Sequence, residues 1–401
     1  MRSTANKFNI PFSTMRDKVM GNSTQVVGHI NTGRILTDAE EEVMFNWIQG
    51  CSKRAMPVTK RLVLKALDDI LEVEEELGYE RTHLDRTKKH NRWWRNFKLR
   101  YPKIVYRTPE SLSTSRKNLS ERIIRQWYSD THSYLANQDL LDILKDDVRV
   151  FNLDEMGVGL SPKLGKVLGI KGDKYCFEER SKFEKTQITV LSVIQAYGSI
   201  PPPMIIYPRK RIAVGIARKF PNLPFCVGKT ETGWITKETF YEFVCNSFSD
   251  WLTKNHIQRP VILFTDWHET RNNFFLARQL TKLGIIMLGL PPNTTHLMQP
   301  LDVAVIGPLK RKWTQAVRTF TDDNPDDIIS QINFAPIFLP VYYKAITQAN
   351  IKSGFRACGL YPFNPDAPDY GKLEAAAAQR EHRTSMFQGV NQGKKLHILL
   401  H

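Results

Sequence analysis

A chain of 401 residues with 41% apolar and 10% aromatic side chains has enough buried mass for two or three domain cores, which excludes a disordered polymer. Fifty-seven Lys and Arg against 41 Asp and Glu leave a formal charge of +16, so the partner expected is a polyanion, nucleic acid above all. Five cysteines (51, 176, 226, 245 and 358) form no CxxC pair, which argues for reduced, buried thiols in an intracellular protein and against a disulfide framework or a zinc site. No apolar run is long enough to span a bilayer, and the polar N-terminus carries no secretory pattern.

Residues 1–22 read as helix, turn, helix. Phe8, Ile10, Met15 and Val19 are apolar, Ser13 or Thr14 is the cap, and Gly21 is the stop. This is half of a helix-turn-helix unit, so the chain is expected to begin inside a domain. A Gly/Asn/Thr linker follows at 23–35. Over 36–107 three helices are predicted. The first opens with a capping box from Thr37 to Glu40 and runs to about Cys51. The second follows Pro57, with Leu62, Leu67 and Ile70 inward and an acidic run closing it at 72–76. The third is HNRWWRNFKLRYP (90–102), with Trp94, Phe97 and Tyr101 inward and Arg92, Arg95 and Arg100 outward. Cations at helical spacing beside buried aromatics suit contact with a phosphate backbone, and the DNA-contact candidates are Arg92, Arg95, Lys98, Arg100, Lys103 and Arg107.

A helical bridge is predicted over 108–147, its core face carrying Leu119, Ile123, Ile124, Trp127, Tyr128 and Leu135. From Val148 the pattern changes to strands. VRVFNLD (148–154), TQITVLSVIQAYG (186–198) and PMIIYP (203–208) predict an antiparallel meander. An extension over 209–255 follows, helical from about Lys237 to Thr253, with Thr232, Gly233 and Trp234 expected in the core beside Phe240 and Phe243. PVILFTD (260–266), a helix over about 272–283 and GIIMLGL (284–290) then alternate, which predicts parallel pairing. In PPNTTHLMQPLDVAVIGPLKRKW (291–313), Pro300 sets the backbone for a helix whose first turn holds Asp302. Asp154 and Asp266 each end a strand. Three carboxylates at element ends are what a divalent-cation site needs, since hard cations take oxygen ligands. NIKSGFRACGLYPFNPD (350–366) reads as a helix, Gly359 and a Pro-bearing turn that closes the fold. The Ala/Gln/Arg/Gly-rich residues 369–401 are expected to be poorly ordered.

NLDEMG, TDWH, PPNTTHLMQPLDVAVIGPLKRKW and IKSGFRACGLYPFNPD together resemble the DDE transposases of the pogo/Tigger group, in the mariner-like superfamily that also includes jerky and centromere protein B-like host proteins. The resemblance runs from about Ser3 to Asp366. It implies a multidomain chain: an all-α helix-turn-helix region, pipsqueak-type over 1–22 and centromere protein B-type over 36–107, then an α/β ribonuclease H-like DDE catalytic domain over 148–368. It implies that Asp154, Asp266 and Asp302 are catalytic and hold two Mg²⁺ or Mn²⁺ ions. These would activate a water or a 3′-hydroxyl for phosphodiester hydrolysis and strand transfer. Asp266 and Asp302 are 302 − 266 = 36 positions apart, close to the family's gap. His268 matches the family's Asp-x-His, and it and Glu155 are candidate supporting residues. Trp267, where relatives carry a small residue, and Glu269, Thr270 and Arg271, where relatives tend to Ser and His, depart from the pattern. The implied partners are double-stranded DNA and a second copy in a homodimer, with no membrane, no small-molecule cofactor and a nuclear location. The other reading is a domesticated nuclear DNA-binding protein, a chromatin or transcription regulator without catalysis. Trp267 favours it, and the intact Asp triad favours the enzyme.

Overall fold

The structure, a computed structural model, describes residues 35–54, 56, 58–76, 86–106, 120–161, 186–209, 211, 224–266, 271, 274–324 and 327–373. The expectations for residues 1–34, Arg107, Leu119, Trp267, His268, Glu269, Thr270 and 374–401 fall outside the described residues. Two units are present. One comprises Met1–Phe45 and Leu71–Val105, the other Asn46–Ile70 and Tyr106–His401. The divisions at 45/46 and 70/71 fall inside the stretch expected to form one domain over 36–107.

Helices α1 (Asp38–Lys53), α2 (Lys60–Glu76) and α3 (Arg86–Arg100) appear where the apolar spacing places them. The capping box of α1 is formed: the Thr37 N–H donates to Glu40 at 2.7 Å and the Glu40 N–H donates to Thr37 Oγ1 at 3.3 Å. In the first unit Trp93, Trp94 and Phe97 of α3 are buried, Trp93 stacks on Phe97 at 4.9 Å, and Phe45 stacks on Tyr101 at 4.8 Å. Glu41 is fully buried among them. It accepts from Trp93 Nε1 at 2.9 Å and from Arg100 Nε at 2.6 Å, and a second Arg100 nitrogen closes a bidentate pair.

The second unit is built on a six-stranded mixed sheet. Its strands are β1 (Val150–Gly159), β2 (Gln187–Gln195), β3 (Met204–Pro208), β4 (Cys226–Thr230), β5 (Val261–Thr265) and β6 (Ile285–Gly289), in the order β4-β3-β2-β1-β5-β6. The β1–β2–β3 meander is antiparallel, and β5 and β6 are parallel to β1. Two features differ from the sequence reading. β1 continues five residues past Asp154, because Glu155 to Gly159 pair with Leu191 to Gln187. The stretch read only as an extension contributes β4, parallel to β3 at the sheet edge. CVGKT is too short and too weakly alternating to announce itself as a strand.

Alternation along β1 sorts the two faces. Val150, Met156 and Val158 join the large core with α4 (Glu121–Ala136) and with the later helices α9 (Ile306–Asp323), α10 (Phe334–Ala345) and α11 (Gln348–Ala357). Phe151 faces the other way, with Phe248 at 5.2 Å and Trp251 at 6.1 Å. Those two belong to a helical run made of α5 (Lys237–Glu242), a π-helical turn at Phe243–Phe248 and α6 (Ser249–Lys254); α7 (Phe274–Lys282) and the short α8 (Thr295–Met298) lie between it and α9 in the chain. Phe240 and Phe243 are core residues as expected, but Trp234 is 65% exposed. Gly233, at φ +77°, turns the chain in the left-handed region, where an added Cβ would meet Pro208 at 2.9 Å, and Trp234 emerges outward.

Candidate active site

Asp154 and Asp266 stand side by side in sequence register: Leu153 pairs with Thr265 across the parallel β1–β5 ladder, and each Asp is the next residue. Asp302 comes from a one-turn π-helical segment, Leu301–Val305, which leads into α9. A buried polar network holds that turn against β1. Asn152 Nδ2 donates to Gln299 at 2.6 Å and to the Phe264 carbonyl at 3.1 Å, and its Oδ1 accepts from the Leu301 N–H at 3.2 Å. Gln299 Nε2 donates to the Leu153 carbonyl at 3.1 Å. Both side chains are fully buried, so every one of these bonds replaces a water the interior does not supply. From the other side α11 presses in through Gly354, where a Cβ would stand 2.9 Å from the Pro300 carbonyl and 3.1 Å from Ala304. Only a residue without a side chain allows that approach.

The electrostatics distinguish the three carboxylates. Burial, and then the negative charge of Asp302, push Asp154 up to about 7 from an ordinary 3.8; Arg271 works in the opposite direction. Asp302 is also raised, by burial, against the pull of Lys310 and His296. Asp266 is held differently. Arg271, 2% exposed, forms an ion pair with the Asp266 carboxylate and another with Glu155 at 2.7 Å. It also donates to Thr265 Oγ1 at 2.6 Å and to the Asp266 carbonyl at 2.9 Å, and its guanidinium carbon lies 5.6 Å from the Phe240 ring centroid.

Among the described residues no three His, Cys, Asp or Glu side chains converge closely enough to hold one metal ion. Asp154 and Asp302 repel each other, which suits them to share one hard cation. Asp266 does not fit a second ion as it stands, because a guanidinium already neutralises it. The convergence of all three expected from the sequence is therefore only partly realised. Arg271 sits in the stretch that departs from the family pattern, and reading it as a departure alone did not show what it binds. Asn152 and Gln299 went unremarked; the signal available was a polar residue inside each of two otherwise apolar runs.

Of the DNA-contact candidates, Arg92, Arg95 and Lys103 are exposed and Lys98 is half-buried. Arg100 is the correction: it does not face outward but turns onto buried Glu41, since leaving that carboxylate unpaired in the interior would cost more than exposing the guanidinium gains.

Removing the ionisable group at Asp154 reveals its cost. Between about pH 4 and pH 7 the folded chain keeps a proton at Asp154 that the unfolded chain has lost, so stability falls as pH rises through that window and is lowest above it. Asp154→Asn, still able to accept the Glu155 N–H bond seen at 2.8 Å, is expected to melt above the parent at pH 8 in chelator and level with it near pH 4. The difference is at most about 4 kcal/mol. Thermal denaturation at the two pH values checks it; equal melting at pH 8 would contradict the assigned environment.

Residues 185–355, from just before β2 into α11, match the family described as DDE superfamily endonuclease. That segment contains Asp266, Arg271 and Asp302 and excludes Asp154. A protein of Cochliobolus lunatus named MFS-type transporter clz9 is 25% identical over 249 residues, covering 60% of this chain. The match spans only 26% of that relative's length. No helix among the described residues is long and apolar enough to cross a membrane. Solved structures with a similar chain trace include a Mos1 transposase paired-end complex with left transposon end (11% identity, 94% of this chain and 91% of that one, TM-score 0.41). A pre-cleavage Mos1 transpososome aligns over the same shares at 11% identity (TM-score 0.42), and a Mos1 mariner paired end complex with Mn does so at 12% identity (TM-score 0.40). The strand that leads to Asp266 and the helical turn that carries Asp302 thus lie within a segment similar to the DDE superfamily endonucleases.

Proposed function

We propose that this chain is a transposase or transposase-derived DNA-binding protein of the pogo/Tigger type, with a carboxylate site that cleaves phosphodiester bonds using Mg²⁺ or Mn²⁺. The observation that carries the reading is the Asp154–Asp302 pair. Asp154, buried on the central strand β1, and Asp302, exposed on a helical turn, are brought near each other by the Asn152–Gln299 network, and Asp302 lies within a segment similar to DDE endonucleases. Asp154 and Asp302 would hold the ion, whose chemistry is to polarise a phosphoryl oxygen and lower the pKa of a bound water or hydroxyl. The chain's own share is to place these two carboxylates rigidly and to supply a cationic surface. Arg92, Arg95 and Lys103 are exposed on and just after α3, and +16 overall favours approach to a DNA backbone. The complete reading includes strand transfer, action as a homodimer and a nuclear location.

The second reading, DNA binding without cleavage, is favoured by the Arg271–Asp266 ion pair. Supercoiled plasmid nicking in Mn²⁺ or Mg²⁺ separates the two. Nicking that disappears in Asp154→Asn and in Asp302→Asn, while a gel shift on duplex DNA persists, supports the enzyme. A full gel shift with no nicking from the parent chain supports the binding protein.

A further inference from the structure

Arg271 is the largest fully buried side chain among the described residues, and its guanidinium is committed to two carboxylates that come from different strands. Glu155 belongs to β1 and Asp266 follows β5. A buried guanidinium needs anionic partners, and two carboxylates on neighbouring strands need a cation when they are withdrawn from water. Arg271 Nη2 donates to Glu155 and Nη1 donates to Thr265 Oγ1 and to the Asp266 carbonyl, while the Asp266 carboxylate is paired with the guanidinium by charge and its Oδ1 accepts no hydrogen bond. Arg271 Nε has no hydrogen-bond partner, so the arginine is held by its charge pairs at the cost of one orphaned donor.

We infer that Arg271 is a built-in counter-ion that stands at Asp266 where a second divalent cation would stand, so that the folded chain takes one such cation, between Asp154 and Asp302, and not two. The inference rests on the endonuclease reading of the carboxylate site. It adds that the site is held in a one-ion form by a side chain of the protein itself. The balance of charge supports it. Asp154, Glu155, Asp266 and Asp302 carry four negative charges when ionised. One arginine and one divalent cation leave a net −1, whereas a second divalent ion at Asp266 with Arg271 in place would stand against the guanidinium already there, a like-charge contact that is unfavourable. With Arg271 replaced by a neutral residue, two divalent ions balance the four carboxylates.

The test counts bound ions and does not rely on cleavage. Mn²⁺ is titrated into the full chain and followed by calorimetry and by the electron paramagnetic resonance of free Mn²⁺, for the parent, Arg271→Lys, Arg271→Gln and the double variant Arg271→Gln/Glu155→Gln. Roughly one Mn²⁺ per chain is expected for the parent and for Arg271→Lys, and roughly two for Arg271→Gln. Removal of Arg271 strands Glu155 and Asp266, so Arg271→Gln is expected to melt lower than the parent without metal and to recover with Mn²⁺ more than the parent gains. If Arg271→Gln does not fold, the double variant removes the arginine together with one of its two anions, and a second ion bound there supports the inference equally. Two ions on the parent, with one lost in Asp266→Asn, would overturn the inference while leaving the endonuclease reading intact. A count that stays at one in folded Arg271→Gln and in the double variant would also overturn it. No Mn²⁺ on any of the four proteins would overturn the inference and the metal-site reading together.

Discussion

Asn152→Ala is expected to destabilise the second unit by about 4 kcal/mol, the sum of two or three buried polar groups left without partners at about 1–3 kcal/mol each. The groups are identifiable. Gln299 loses the 2.6 Å donor to its side-chain oxygen, the Phe264 carbonyl loses a donor at 3.1 Å, and the Leu301 N–H loses its acceptor at 3.2 Å. The last matters most for the site, because Leu301 opens the turn that carries Asp302. The cavity left by a shortened side chain adds a further, smaller cost. Urea denaturation of parent and variant measures the loss. A difference under about 1 kcal/mol would mean that water or a shifted Gln299 replaces the network, and that packing from α11 alone positions Asp302. Asn152→Leu is the sharper companion: it restores apolar volume but none of the three bonds, so it too is expected to fall well below the parent.

In the first unit the corresponding residue is Glu41, and Glu41→Ala is expected to cost about 3–5 kcal/mol, the range for breaking a buried charge pair by removing one partner. Glu41 is fully buried, whereas the Arg100 side chain keeps 29% of its surface, so the arginine regains part of its hydration and the cost falls toward the lower end. Trp93 has no such recourse: its indole N–H, bonded to Glu41 at 2.9 Å, is stranded in the aromatic cluster. Amide hydrogen exchange along α3 is the suitable readout, since local opening governs it. A loss of about 3 kcal/mol lowers protection there by roughly 100-fold. Unchanged protection would show that the stacking of Trp93, Phe97 and Tyr101 holds α3 in place without the charge pair. Because Arg92 and Arg95 lie on the exposed face of the same helix, the variant is also expected to weaken a gel shift without altering either cation.

Much of this was legible in the residues. The helix positions over 38–100 follow from apolar spacing and a capping box, and the β1–β2–β3 meander follows from alternation and length. Asp302 was conspicuous because it is the single carboxylate in the uncharged run after Pro291, placed at the start of a helical turn. These are properties of one element at a time. Periodicity reports how much of an element is buried and on which face, and that is decided locally.

What the tertiary structure alone decided is which charges meet. Arg271 and Glu155 are separated by 116 positions, and Arg100 and Glu41 by 59, so no local pattern relates them. The first pair exists because the sheet order sets β1 beside β5, and the second because α1 and α3 bury a shared face. In the same way Trp234 is carried outward by the left-handed turn at Gly233, and Asp266 is turned from a metal-ligand candidate into half of an ion pair. The sequence by itself determined the elements, the carboxylates at their ends and the basic character of the chain. The fold decided which of those carboxylates remain without a cation, because a buried charge is stabilised by whatever opposite charge the topology brings within reach, wherever in the chain that charge originates.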